Sequence, residues 1–125
     1  MSVRANSRAA TGEAAESLAR RRLEAAGLRF RQANFRARRG EIDLVMETPD
    51  GQIVFVEVRY RSRPDYGGGV ASVDARKRQR LIHAARAWLH CHGLDQRPAR
   101  FDVVAVDRHD RIQWIEAAFD ADGAG

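Results

Sequence analysis

Apolar residues recur at helical spacing near the start of the chain, where Ala15, Leu18, Ala19, Leu23 and Ala26 fall on one face. Thr11 is placed to cap a helix from about Gly12 to Ala26, and Gly27 to end it. The period then shortens. Residues 28–36 alternate weakly, through Leu28 and Phe30, and predict a strand; Arg36 to Gly40 reads as a basic turn. Glu41 to Glu47 alternates cleanly, with Ile42, Leu44 and Met46 on one face and Asp43 on the other. Pro49-Asp50-Gly51 is a turn signal, and Ile53 to Tyr60 is a strand rich in β-branched and aromatic residues. Ser62 to Ala71, with Pro64 and the run Gly67-Gly68-Gly69, predicts one long flexible loop. Ser72 is expected to cap a second helix that reaches about His92 and stops at Gly93. Its row Lys77, Leu81, Ala85, Trp88 has the spacing of a face turned to a sheet. Phe101 to Val106 and Ile112 to Ile115 predict two more strands, and the last residues a short helical turn. The fold class is α/β: a mixed β-sheet flanked by helices, in the order α-β-β-β-α-β with a further C-terminal strand.

With 125 residues the chain has one domain's worth of length. Residues 1–10 are expected to be a disordered basic arm, 11–120 a single domain and 121–125 a frayed tail. No apolar run approaches the roughly 20 residues that cross a membrane, and the first ten residues lack the apolar core of a secretory signal. A cytoplasmic protein with no membrane partner is the default. The single cysteine, Cys91, excludes an internal disulfide and a Cys-rich zinc module.

Charge sharpens this picture. The net charge of +5 is segregated: residues 1–40 carry +7, 41–58 carry −5, 59–86 carry +6 and 87–125 carry −3. An acidic block between two basic ones points to a polyanion partner, most often nucleic acid; the other reading is a solvated surface in an arginine-rich composition. Of the 22 basic side chains only Lys77 is a lysine, which singles it out among arginines.

The acidic block holds the candidate chemistry. Asp43 and Glu57 lie on strands joined by a turn, and antiparallel pairing brings them side by side. Two adjacent carboxylates repel unless a cation stands between them, and hard oxygen ligands suit Mg²⁺ or Mn²⁺. The bland reading is the solvated face of a hairpin. Against it, Glu57 is embedded in Val54-Phe55-Val56-Glu57-Val58, where a charge is costly unless paired or ligating. Arg59, two residues on, points to the same side.

Asp43 followed by Glu57-Val58-Arg59 resembles the PD-(D/E)xK nuclease signature, and the element order resembles that superfamily's restriction-endonuclease-like core. The likeness is closer to one small bacterial family of uncharacterised proteins, the YraN-like family. It is carried by Gly12-Glu13 with Glu16 and Ala19, Asn34-Phe35-Arg36, Gly40-Glu41-Ile42-Asp43-Leu44-Val45, Phe55-Val56-Glu57-Val58-Arg59, Ser72-Val73 leading to Lys77, and Arg100-Phe101-Asp102-Val103-Val104. The resemblance implies metal ligands at Asp43 and Glu57. It adds Glu16, which matches an acidic residue at the metal site of archaeal Holliday-junction resolvases. Arg59 stands where the signature has lysine; an arginine cannot act as a base, so only an electrostatic role is left to it. Lys77 is the candidate for a lysine that has migrated to the neighbouring helix, its alternative being an edge-of-core or phosphate-contacting side chain. Glu16 is alternatively the partner of Arg20 in a surface ion pair worth about 0.3–0.5 kcal/mol.

The function so implied is that of a metal-dependent endonuclease-like protein acting on DNA, branched or otherwise non-standard structures included, with Mg²⁺ or Mn²⁺ as cofactor. Its catalytic set is Asp43, Glu57, Arg59 and Lys77. Arg36, Arg38, Arg39, Arg61, Arg63, Arg76 and Arg80 would contact nucleic acid, with Tyr66 and the glycines forming a flap. A homodimer is expected if the substrate is branched. The alternative is a non-catalytic nucleic-acid-binding module that retains the nuclease fold, and a weaker one a protein-binding scaffold. Asn34 reads as a strand-end or turn residue and Asp102 as a strand-entry or supporting group. His90-Cys91-His92 lacks the helical spacing of a metal site, and Gly67–Gly69 lacks the Lys-Ser/Thr of a phosphate loop.

Overall fold

The computed structural model describes residues 8–61 and 73–121. Helix α1 (Arg8–Ala25) is followed by strands β1 (Arg29–Ala37), β2 (Gly40–Glu47) and β3 (Ile53–Arg61), helix α2 (Ala75–Cys91), and strands β4 (Ala99–Asp107) and β5 (Ile112–Phe119). The five strands form one sheet in sequence order. β1, β2 and β3 are an antiparallel meander, β4 runs parallel to β3 from Ile53↔Ala99 to Arg61↔Asp107, and β5 returns antiparallel. α2 is the crossover that the parallel pair requires. This is the mixed sheet and the α-β-β-β-α-β order of the restriction-endonuclease-like core, with the further C-terminal strand.

Side-chain alternation on the central strands builds two cores. Ile53, Phe55, Phe101 and Val103 pack with Leu81, Ile82, Ala85 and Trp88 of α2. Val54, Val56, Val104 and Val106 pack with Ala15, Ala19 and Leu23 of α1. The helices therefore cover opposite faces, and the parallel β3–β4 pair is apolar on both sides, as such pairs are. Phe55 meets the Trp88 ring edge-on at 5.8 Å, and Trp88 donates its indole N–H to Gln32 at 2.9 Å. No helix among the described residues is long and apolar enough to cross a membrane.

Several boundaries differ from expectation. α1 starts at Arg8, so Thr11 lies inside the helix and not at its cap; Arg8, Ala9 and Ala10 are good helix formers that extend it upstream. It ends at Ala25, leaving Ala26 exposed beyond the face. Gly27 adopts φ 99°, and Leu28 N–H returns to Leu23 C=O, which closes the helix as a glycine-terminated motif. The cap of α2 is Asp74, whose carboxylate accepts the Lys77 N–H at 2.9 Å. The expected cap, Ser72, lies outside the described residues, as do residues 1–7, the loop 62–71 with Arg63 and Tyr66, and the end of the tail at 122–125. β5 continues to Phe119 where a helical turn was expected. The buried carboxylate of Asp102 organises this end: it accepts from Arg100, from the Trp114 indole at 2.9 Å and from Ala117 N–H at 2.9 Å. The last bond secures a bulge at Ala117, which has φ 50°. Asp102 thus has its hydrogen bonds within β4 and β5.

Candidate active site

β2 and β3 are paired only from Glu47↔Ile53 to Leu44↔Val56. Continuing that register sets Asp43 opposite Glu57, at the point where the ladder stops. Here β2 changes course. Ile42 joins the core under α2, whereas Leu44 and Met46 lie under α1, so the expected single face of Ile42, Leu44 and Met46 breaks at Asp43. The cause lies at both ends of the step: Asn34, across from Asp43 on β1, has φ 54°, and Gly40 is drawn onto the main chain of α2. The Asp43 carboxylate fills the opening, accepting the Val58 N–H at 2.8 Å. A side-chain oxygen thereby takes up a strand N–H where the β2–β3 pairing has ended.

Glu57 is 5% exposed and shares the strand face of Phe55. Its Oε2 receives two cations: Arg59 Nη1 and Lys77 Nζ each lie at 3.4 Å. Arg59 arrives from the same strand by two-residue alternation. Lys77 arrives from the first turn of α2, four residues before the buried Leu81, on the row read from the sequence. Asp43 lies within hydrogen-bonding reach of Glu57. Burial first, and then the charge of Glu57, push the Asp43 carboxyl up to about 8, against the pull of the Val58 N–H.

Glu16 approaches from α1. Burial raises its pKa, the side chain of Asn34 hydrogen-bonds it and pulls the other way, and the charges of Glu13, Glu41 and Glu57 raise it further. A cleft of about 330 Å³ opens here, lined by Gly12, Glu13, Glu16, Asn34, Arg36, Glu41, Ile42 and Asp43. Arg20 turns away from Glu16: it bonds Glu24 at 3.1 Å and lies 3.6 Å over the Phe30 ring. The Glu16–Arg20 pair does not form, because Phe30 on β1 offers the guanidinium an aromatic face.

Among the described residues no three His, Cys, Asp or Glu side chains are gathered closely enough to cage a metal ion. Glu16 therefore does not complete a closed ligand set with Asp43 and Glu57. The donor chemistry still fits Mg²⁺ or Mn²⁺, because such ions are commonly held by one or two carboxylates, with water and substrate phosphate supplying the rest. Two buried carboxyls forced together, one of them protonated near neutral pH, are the arrangement a divalent cation relieves.

The basic residues fall into groups. Arg38 and Arg39 form the exposed β1–β2 turn, and the close approach of Gly40 to Arg80 seats that turn against α2, one helical turn from Arg76. Arg36 is exposed beside Glu41 at 3.9 Å. Arg61 ends β3. At the far end of the sheet Glu47 gathers Arg29 and Arg31 at 2.7 Å each and Arg97 at 3.0 Å, an ion cluster that the sequence reading missed. His90 pairs with Asp95, and His92 stacks on Trp88 at 4.0 Å, so the His-Cys-His run has other partners. Asn34 is the site residue that sequence reasoning misplaced. It lies within β1 and contacts Glu16; the available signal was its residue type, since asparagine tolerates left-handed backbone better than most.

A solved structure, that of Pyrococcus furiosus SfsA in complex with Ca²⁺, aligns with a TM-score of 0.35 and 14% identity over 84% of this chain; the chain spans 62% of that structure's length. Relatives in sequence are much nearer. A UPF0102 protein of Halorhodospira halophila is 57% identical over 86% of this chain and 85% of its own. One of Klebsiella pneumoniae is 52% identical, over 87% and 85%, and one of Cupriavidus taiwanensis 48%, over 95% and 89%. The model of UPF0102, an uncharacterised protein family, matches residues 15–106, which takes in Glu16, Asp43, Glu57 and Lys77. The chain belongs to this family, the YraN-like family that its motifs resemble.

Proposed function

We propose that this protein is a Mg²⁺- or Mn²⁺-dependent phosphodiesterase that cleaves DNA. The observation that carries the reading is the buried Asp43–Glu57 pair with Arg59 and Lys77 both on Glu57. A divalent cation bound there supplies Lewis-acid polarisation of the phosphodiester and a more acidic water. The chain's own part is electrostatic and positional. Asp43 and Glu57 hold the cation, with Glu16 facing the same cleft. Lys77 and Arg59 offset the charge that builds on the phosphate oxygens as water attacks phosphorus and the ester P–O bond breaks. Arg38, Arg39, Arg76 and Arg80 track the backbone on either side of the Gly40–Arg80 contact, with Arg36, Arg61 and Arg63 as further contacts. Cytoplasmic DNA is the partner in this reading. If the substrate is branched, two cuts call for two copies and hence a homodimer.

The test is a cleavage assay on linear duplex, single-stranded and four-way DNA with Mg²⁺ or Mn²⁺. Metal-dependent cutting that Asp43→Asn abolishes is expected. No cutting on any of them, with the wild type or with Arg59→Lys, overturns the reading.

A second reading is a non-catalytic nucleic-acid-binding module, favoured by arginine at the signature lysine position and by the lack of a closed three-ligand set among the described residues. It predicts duplex affinity that falls with salt, with a slope of about −0.9 per neutralised phosphate, and no cutting.

A further inference from the structure

We infer that Asn34 is a positioning residue: it holds Glu16 in place for a cation bound at Asp43 and Glu57, an inference that rests on the metal reading above. Three observations converge. First, Asn34 has φ 54° within β1, although Ala33 and Phe35 on either side keep one register with Leu44 and Ile42. A left-handed residue inside a strand is costly for most side chains and persists where the surroundings demand it. Second, that register sets Asn34 opposite Asp43, where β2 leaves β3. Third, the side chain so directed hydrogen-bonds Glu16 across the cleft, from strand to helix.

The choice of an amide matters. Glu16 is crowded by the charges of Glu13, Glu41 and Glu57, and an arginine or lysine would relieve them by neutralisation. A neutral N–H donor fixes one carboxylate oxygen and the rotamer of a long side chain, yet leaves the negative charge and the second oxygen free for a cation or its water. Such supporting hydrogen bonds change metal affinity by about 10- to 100-fold.

The experiment uses the full chain, with Mn²⁺ as probe, and reads calorimetric affinity and the metal-free melting temperature. Glycine adopts φ above zero without penalty, so Asn34→Gly deletes the amide and keeps the strand. It should melt with the wild type and bind Mn²⁺ about tenfold more weakly or worse. Glu16→Gln should weaken binding too, and adding Asn34→Gly to it should cost nothing more. Wild-type affinity in Asn34→Gly, beside lost affinity in Asp43→Asn, overturns the positioning role and leaves the metal reading standing. An undiminished Asn34→Gly effect on the Glu16→Gln background also overturns it, since Asn34 would then act by another route. If the wild type takes up no Mn²⁺, the metal reading falls and takes this inference with it.

Discussion

Gly40 of β2 lies against the main chain of Arg80 in α2, so closely that a Cβ on Gly40 would stand 2.0 Å from the Arg80 carbonyl oxygen. The contact lies three residues before Asp43 and three after Lys77, and so ties together the strand and the helix that carry the two ends of the site. Gly40→Ala forces the backbones apart, because a carbonyl on a helix cannot swing aside as a side chain can. Overpacking of this kind costs about 1–3 kcal/mol. The melting temperature should fall by several degrees, and Lys77 should lose register with Glu57. A variant that melts and cleaves like the wild type would show that the helix yields freely there.

Asp43→Asn is expected to stabilise the metal-free protein. Asparagine keeps an oxygen for the Val58 N–H and removes a buried charge beside Glu57. The folded carboxyl, raised from 3.8 to about 8, binds its proton more tightly than the unfolded one. Stability in a chelator should therefore fall as pH rises from about 4 to about 8 in the wild type, and fall less in Asp43→Asn. Parallel melting curves across that range for the two proteins would contradict this account.

Glu47 works in the opposite sense. Hydrogen bonds from Arg29, then Arg31, hold its carboxyl down at about 2, against an ordinary 4.5. The folded state binds this proton less tightly than the unfolded one, so the contribution is present above pH 4.5 and fades as pH falls toward 2. Glu47→Gln leaves Arg29, Arg31 and Arg97 without their shared charge; it should lower the melting temperature at pH 7 and have much less effect at pH 2–3. The check is a pair of thermal scans at each pH.

Lys77 and Arg59 both reach Glu57 Oε2, and substitutions separate their roles. Lys77→Ala should slow DNA cleavage by about 10²-fold or more if its charge serves the transition state, with affinity for DNA reduced by one phosphate contact only. Lys77→Arg keeps charge but changes shape and hydration, and should also impair cleavage. Arg59→Lys should preserve or raise the rate. Wild-type turnover in Lys77→Arg would remove Lys77 from the chemistry.

Much of this site was legible before any coordinates. Two-residue alternation placed Glu57 with Arg59, one hairpin turn brought Asp43 to Glu57, and helical spacing turned Lys77 toward the sheet. These relations depend only on local periods and on one short connection. The parts that failed depend on contacts between distant segments. Ile42 leaves the face of Leu44 because Gly40 is seated on α2 forty residues downstream. Asn34 bends back because of a partner on α1. β5 runs on to Phe119 because Asp102 secures a bulge that propensity does not reveal. Asp74 caps α2 in place of the expected Ser72, since several Ser, Asp and Asn positions suit a cap and only the chain's path selects among them.

The ion pair between Lys77 and Glu57 also gives the protein a chemical address. Every other basic side chain in the sequence is arginine, so an amine-acylating reagent has one side-chain target, apart from the chain's amino terminus. That target lies at the candidate centre with its side chain 32% exposed. Stoichiometric labelling would therefore mark this centre alone. The rate at which the label is incorporated, followed by intact mass, would report whatever comes to cover Glu57, with no assay of turnover and no engineered tag.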